Sequence, residues 1–276
     1  IPLSGEAIAN SLSVSRAAVW KAVRALEAEG YHIEAVPNQG YTLCTDNDLL
    51  STQGILPYLN PPLKSREIRV FPCLPSTNQE AKRMALESAE QGSAVLAEEQ
   101  SAGRGRLGRS FFSPRGNGLY MSVILRPKAD VSNAVLITTA AAVGVCRAID
   151  TVTGRHPQIK WVNDLYLNEK KICGILTEAV TNFETGVIES VVVGIGINFK
   201  GSQSTLPEEL RHKAGFLYTD EPPATTRNHL AAEIINQLCI LCDTLELRSF
   251  LPEYRMRSMI IGEPVSYTHL TLPTKA

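Results

Sequence analysis

The chain has 276 residues, of which 44% are hydrophobic and 20% charged, and its formal net charge is -1. That is the composition of an ordinary globular protein, long enough for one large domain with small appendages. A near-neutral balance excludes nucleic-acid binding by bulk charge, so any basic surface must be local.

In chain order, Ser4 can cap a short helix bearing Ala7, Ile8 and Leu12. A break over residues 11–15 precedes a second helix, with Ala18, Val19, Val23 and Leu26 along its apolar side and Gly30 at its end. Residues 31–36 and 40–43 then read as a hairpin around Pro37-Asn38-Gln39. Helix, turn, helix and hairpin make a winged helix-turn-helix over residues 1–45, its first helix incomplete. Ser15, Arg16, Lys21 and Arg24, with Trp20 in part, face outward from the second helix and suit a major groove and its phosphates. A packing or protein-interaction module is the alternative reading of the same unit.

Residues 46–66 read as a linker with one short helix through Leu49, Leu50, Ile55, Leu56 and Leu59, punctuated by Pro57, Pro61 and Pro62. Beyond it, residues 68–73, 94–98, 119–125, 159–162, 171–180 and 187–197 read as strands. The run Val191-Val192-Val193 marks the last of these as central and covered on both faces. Thr77 and Glu80 form a candidate capping box for a helix with Ala81, Met84, Ala85 and Ala89 inward. Residues 131–149 read as a long buried helix, and 227–247 as a helix burying Leu230, Ile234, Leu238, Leu241 and Leu245. The expected class is α+β, a mixed sheet with helices packed against it. The best membrane candidate, 131–146, is short and interrupted by Ser132, Asn133, Thr138 and Thr139, so a core helix is expected there.

The cysteines at 44, 73, 146, 173, 239 and 242 are dispersed among apolar residues, which suggests buried free thiols in a reducing, cytoplasmic compartment. Cys239 and Cys242 lie within a helix and lack a second ligand pair, and His32, His156, His212, His229 and His269 follow no metal-ligand spacing. No Ser-His-Asp set emerges, so hydrolytic and zinc chemistry are poorly supported.

Four constellations carry chemistry. Gly103-Arg104-Gly105-Arg106-Leu107-Gly108-Arg109 follows a strand and precedes Phe111-Phe112. Glycines permit close backbone approach and arginines supply forks of donors, so the loop suits an anion such as a carboxylate or phosphate. A solvated or nucleic-acid-binding loop is the other reading. Lys160-Trp161-Val162-Asn163-Asp164 ends a strand; Lys160 could reach a phosphate there, or Asn163 and Asp164 could simply turn a hairpin. Ser76-Thr77-Asn78 at a helix start offers amides and hydroxyls to a polar ligand edge, or merely caps. Gly174 and Gly194-Ile195-Gly196-Ile197-Asn198 place glycines inside strands, where something must approach the backbone or a bulge must form.

Taken together, these motifs resemble the bifunctional biotin protein ligase and biotin operon repressor family, over nearly the whole of residues 1–265. The resemblance rests on Ala97-Glu98-Glu99-Gln100-Ser101-Ala102 leading into the Gly-Arg loop, on 160–167, and on 194–198. It implies binding of biotin and ATP with Mg2+, formation of biotinyl-5'-adenylate, and transfer of biotin to a lysine of a carrier domain, typically that of acetyl-CoA carboxylase. It further implies operator DNA of biotin genes as a partner, a homodimer, and no membrane. By the resemblance, Ser76, Thr77, Asn78, Gln100 and Gly105 would contact biotin. Arg104, Arg106 and Lys160 would serve both biotin and catalysis, with Arg106, Arg109, Phe111, Lys160, Asn163 and Asn198 toward the nucleotide. Asp164 is a candidate magnesium helper, and no metal ligand set is assigned. A ligase without DNA binding and a non-enzymatic ligand sensor are the competing readings; a lipoate-type ligase shares the core but not the Gly-Arg loop and winged unit.

The chain departs from the family pattern at Val162, commonly Pro, at Pro75, commonly acidic or small and polar, and at Phe111, often Trp. The resemblance divides it into a catalytic domain of the biotin/lipoate ligase type at 67–250, the start of a truncated C-terminal SH3-like barrel at 251–265, with 260–265 as its first strand, and a foreign tail at 266–276.

Overall fold

Alternating and continuous apolar runs in the second half of the chain pair into one seven-stranded sheet, and the helices are laid on its two faces. The computed structural model describes residues 2–36, 39–44, 48–127, 134–181, 188–219 and 221–262. The turn residues Pro37 and Asn38, the helix start at 131–133, Val187 and residues 263–276 fall outside the described residues.

The N-terminal unit comprises α1 (Gly5–Leu12), α2 (Arg16–Ala28) and the hairpin β1 (Ile33–Val36) and β2 (Gly40–Leu43). Ser4 caps α1 through the Ala7 amide at 3.0 Å and Ser15 caps α2 through the Ala18 amide at 3.1 Å. Its fully buried apolar residues are Ala9, Val19 and Val23, with Ile8, Ile33 and Tyr41 packed beside them. Ala7, Leu12, Ala18 and Leu26, expected inward, are exposed.

A short helix α3 (Thr52–Ile55) leads to β3 (Ile68–Phe71), α4 (Thr77–Leu86), β4 (Ala94–Ala97), β5 (Gly118–Leu125) and α5 (Ala134–Thr153). There follow β6 (Gln158–Lys160), β7 (Asp164–Leu167), β8 (Lys170–Thr181), β9 (Ile188–Asn198), α6 (Glu208–Arg211), α7 (Arg227–Asp243) and α8 (Leu251–Arg257). The sheet order is β3-β4-β5-β9-β8-β7-β6, antiparallel except for the β3/β4 pair. β9 lies at its centre, as the valine run predicts. The strand β7 was not anticipated.

Strand parity divides β9 between the two faces. Val191, Val193, Ile195 and Ile197 enter the main core with α5 and α7, while Val192 joins Ala81 and Met84 of α4 on the opposite face. Gly194 and Gly196 continue that second face. α5 is long and apolar enough to cross a membrane over Val135–Thr153, but 67% of that span is buried within the protein and forms its core.

The expectation of a C-terminal SH3-like barrel is corrected. Among the described residues the sheets are an open two-stranded hairpin and an open seven-stranded sheet, and neither closes. Residues 251–257 form α8, held by Arg147–Glu253 at 2.6 Å and Arg257–Asp150 at 2.5 Å and by buried Tyr254. The chain then runs beside the open edge of the same sheet, where the Met259 amide donates to the Ile159 carbonyl at 3.0 Å. Ser258 thereby bridges to Ile159 in parallel at the β6 edge of the existing sheet.

The capping box also fails to form. Ser76 occupies the N-cap position, Thr77 is the first residue of α4, and the Glu80 carboxylate is drawn to Arg69 and Arg83.

Behind the sheet, Arg227 at the start of α7 is buried, its side chain 6% exposed. It pairs with Asp48 and Glu98, each at 2.7 Å, and donates to the Gly118 carbonyl at 3.1 Å. Burial pushes the Asp48 carboxyl up, against the pull of Arg227. Asn228 receives the Ser51 amide and donates to the Leu49 carbonyl. The segment after the winged unit is thus fastened to α7 and to the strand that leads into the Gly-Arg loop.

Candidate active site

On the α4 side of the sheet lies an open cavity of about 340 Å3. Its floor is made by the glycines of β8 and β9, which are paired directly as Gly174↔Gly196. A Cβ on Gly194 would stand 2.1 Å from Asn78 Oδ1, and one on Gly196 would stand 2.4 Å from the Phe111 ring. Close approach, and not a bulge, accounts for these two glycines.

The start of α4 supplies one wall through Ser76, Thr77 and Asn78, all buried. Gln100 Oε1 accepts from the Thr77 amide at 2.9 Å and from its hydroxyl at 3.1 Å, while Gln100 Nε2 donates to Ser113 Oγ at 3.0 Å. Ser122 Oγ lies 2.7 Å from Thr77 Oγ1 and 2.6 Å from Asn78 Oδ1. Asn78 Nδ2 donates to Glu178 at 2.7 Å, and Glu178 pairs with Lys82 at 2.5 Å. Burial opposes ionisation of Glu178, yet the hydrogen bonds from Lys82 and Asn78 and the charges of Lys82 and Arg104 hold its carboxyl below the ordinary range. The wall is a connected polar network whose donors and acceptors are fixed in advance.

The Gly-Arg segment folds over the cavity as an ordered loop. The Phe111 amide donates to the Gly103 carbonyl at 2.9 Å and the Gly105 amide to Arg109 at 2.7 Å. Arg104, Arg106 and Arg109 all line the cavity, and Arg106 Nη1 donates to Asn163 Oδ1 at 3.3 Å. Leu107 stands at the tip in left-handed backbone (φ 57°), 89% exposed. Asn163 both turns the β6–β7 hairpin and fixes the wall, its Nδ2 donating to the Ile175 carbonyl at 2.8 Å.

Of the two lysines in this region, the structure brings the unexpected one to the cavity. Lys160 is exposed at the end of β6, its ammonium 5.2 Å from the Tyr166 ring centroid, and does not line the cavity. Lys171 lines it and pairs with Asp164 at 2.7 Å. The cause is an irregularity in the β7/β8 register, where Leu165 pairs with Cys173 but Tyr166 pairs with Lys171. Ile172 and Cys173, consecutive in sequence, both enter the main core. The extra residue reverses the parity and turns Lys171 onto the cavity face with Gly174.

A neighbouring hollow of about 120 Å3 shares Ser110, Phe111 and Lys171 with the main cavity and continues to Asn198 and Leu206. Asn198 Nδ2 donates to the Gly215 carbonyl at 2.9 Å. The two spaces adjoin at Ser110, Phe111 and Lys171; the polar wall lines the first and mostly apolar residues line the second.

In the N-terminal unit, Arg16, Lys21 and Arg24 are exposed on α2; Arg24 pairs with Glu27 at 2.9 Å. The Ser15 hydroxyl is engaged in capping α2.

The architecture is that of a helix-turn-helix unit and a mixed sheet whose α4 face carries a cavity lined by three arginines and Lys171. Residues 70–198 match the biotin/lipoate A/B protein ligase family, and residues 2–42 match an HTH domain. The chain is 31% identical over 265 residues to the bifunctional ligase/repressor BirA of Escherichia coli, covering 95% of this chain and 80% of that one. It is 39% identical over 209 residues to the bifunctional ligase/repressor BirA of Bacillus subtilis, covering 76% of this chain and spanning 64% of that protein's length. The Aquifex aeolicus biotin protein ligase in complex with biotin and ATP superposes with a TM-score of 0.59 at 28% identity, over 71% of this chain and 80% of that one. The chain belongs to the biotin protein ligase family.

Proposed function

We propose that the protein is an ATP-dependent biotin protein ligase that also represses transcription in response to its ligand. The observation that carries this reading is the cavity itself, where three arginines and Lys171 join the Ser76–Asn78 wall beside the hollow at Asn198. The family's bifunctional members and the solved complex with biotin and ATP support the same assignment.

In this reading the ureido ring of biotin lies against Ser76, Thr77, Asn78 and Gln100, whose polar groups match a cyclic urea. Its carboxylate points to the middle of the groove, and the nucleotide base takes the hollow beside Phe111 and Asn198. A biotin carboxylate oxygen attacks the α-phosphorus, forming biotinyl-5'-adenylate as pyrophosphate leaves. Both reactants are anions, so the work of the site is to hold them in line and offset their repulsion. Lys171, in place of Lys160, stands where it can contact the carboxylate and α-phosphate, with Asp164 orienting its ammonium. Arg104 and Arg106 close over the phosphate, and Arg109 faces the leaving group. In the second step an unprotonated acceptor lysine attacks the acyl carbonyl and AMP departs.

Asp164 is the single carboxylate among the described residues that line the cavity, and Lys171 already holds it. A magnesium ion would come with the nucleotide phosphates, and Asp164 and Asn163, here paired with Lys171 and Arg106, are the side-chain oxygens that would hold it. When bound, it would neutralise phosphate charge.

The acceptor is a biotin carboxyl carrier domain. The winged units of a homodimer would dock on a twofold operator, with Arg16, Lys21 and Arg24 on its phosphates. The test is to incubate the protein with ATP, magnesium and labelled biotin, then with a carrier domain. Label in the adenylate and afterwards on the carrier lysine is expected; neither product from folded protein defeats the enzyme assignment. Gel-shift titration on DNA upstream of biotin genes, with and without biotin and ATP, tests repression. Binding that is absent or indifferent to ligand contradicts it.

A further inference from the structure

The winged unit carries a group of donors that linear spacing conceals. His32 stands just before β1, Glu34 lies on β1, and Cys44 follows β2. His32 and Glu34 are two residues apart in extended chain and so share a face. The register Ile33↔Leu43 places Cys44 opposite His32, and the Cys44 amide donates to the His32 carbonyl at 3.0 Å. One ligand atom from each of the three lies within 4.8 Å of the others. Among the described residues no other three His, Cys, Asp or Glu side chains converge in this way.

We propose that His32, Glu34 and Cys44 form a zinc-class metal site clamping the two strands of the wing. The donor set is an imidazole nitrogen, a carboxylate oxygen and a thiolate sulfur, each an ordinary zinc ligand. Tetrahedral zinc with bonds of about 2.0–2.3 Å sets its donors roughly 3.3–3.8 Å apart, so small side-chain rotations close the site. Three protein donors leave a fourth position for water. Binding requires the thiol to lose its proton, which passes to solvent, and the neutral form of His32. The ion joins the strand ends at the point where the chain leaves the wing for the ligase domain. It also supplies a cross-link to a unit whose own core is small.

The chain contains its own control for the test. Cys44 is partly accessible and Cys73 is exposed, whereas Cys146, Cys173, Cys239 and Cys242 are buried. Full-length protein is treated with iodoacetamide with and without zinc sulfate, and alkylation at each cysteine is followed by peptide mass spectrometry. Because the metal-bound thiolate is withheld from the reagent, zinc is expected to slow Cys44 modification by about tenfold or more and to leave Cys73 unchanged. His32→Ala and Glu34→Gln, both at exposed positions, should remove the protection while the circular dichroism spectrum stays that of the parent. Metal analysis after dialysis should find one zinc fewer in Cys44→Ser. Equal protection of Cys44 and Cys73, no protection of either, or protection that survives His32→Ala overturns the assignment.

Discussion

The winged unit and the ligase sheet are built on different margins. Three buried apolar residues hold the first, Val19 and Val23 worth about 1.5–3 kcal/mol each at most and Ala9 less. The second has a continuous core between the sheet, α5 and α7, and a polar wall in which Thr77, Asn78, Gln100, Ser122 and Glu178 bond one another. The difference teaches that the unit expected to meet DNA can be reshaped at little cost, whereas the groove tolerates almost no change in backbone position.

The largest effect that would break this contrast lies at Arg227. Replacing it by Met leaves the half-buried Asp48 and Glu98 carboxylates beside each other without their cation, so Arg227→Met should lose about 3–5 kcal/mol in denaturant unfolding. A loss below 1 kcal/mol, about that of a surface pair, would mean that the linker is not fastened as described. Next, Gly194→Ala drives a methyl group against Asn78. It should cost about 1–3 kcal/mol and weaken biotin binding in calorimetry, while Gly30→Ala in the winged unit, strained by its φ of 101° but meeting no neighbour, should leave biotin binding unchanged. On the winged side, Arg16→Ala or Lys21→Ala should weaken operator binding alike across sequences and lower the salt slope by about 1 each, with adenylate formation intact.

The smallest effect is a pH dependence. The Glu178 carboxyl is held below its ordinary value of 4.5 in the folded protein. Its contribution is therefore fully present above that value and is lost as pH falls through the lowered native one. Glu178→Gln should lower stability at neutral pH, where the contribution is fully present, and flatten the profile in that acidic window as the two proteins converge. An unchanged acid limb would show that Lys82 and Asn78 do not hold the charge.

Much of this was legible in the sequence because it is local. The valine run of β9, the cap Ser4 and the apolar stripe of α7 each follow from neighbouring residues. The strand glycines left a close approach or a bulge open, and did not show that Asn78 and Phe111 make the approach. What could not be read depends on pairing. The β7/β8 irregularity that turns Lys171 into the groove has no signature in Lys170-Lys171-Ile172-Cys173, where strict alternation would put Lys171 in the core. Lys160, at a visible strand end, was the more conspicuous choice. The barrel expected at the C-terminus failed for a related reason, since Ile260-Ile261 reads as strand but the preceding residues 251–257 pack as α8 against α5. The cluster at His32, Glu34 and Cys44 likewise exists only across a strand pair.

The most direct test of the central claim compares the two lysines in one assay, formation of biotinyl-5'-adenylate from labelled ATP and biotin under single-turnover conditions. Lys171→Ala is expected to slow the step by about 10²–10³-fold, as loss of a fixed charge-stabilising donor does. Lys160→Ala should remain within about twofold of the parent, as an exposed substitution does. The reverse order, or equal losses in both variants, would contradict the placement of Lys171 as the cation of this groove.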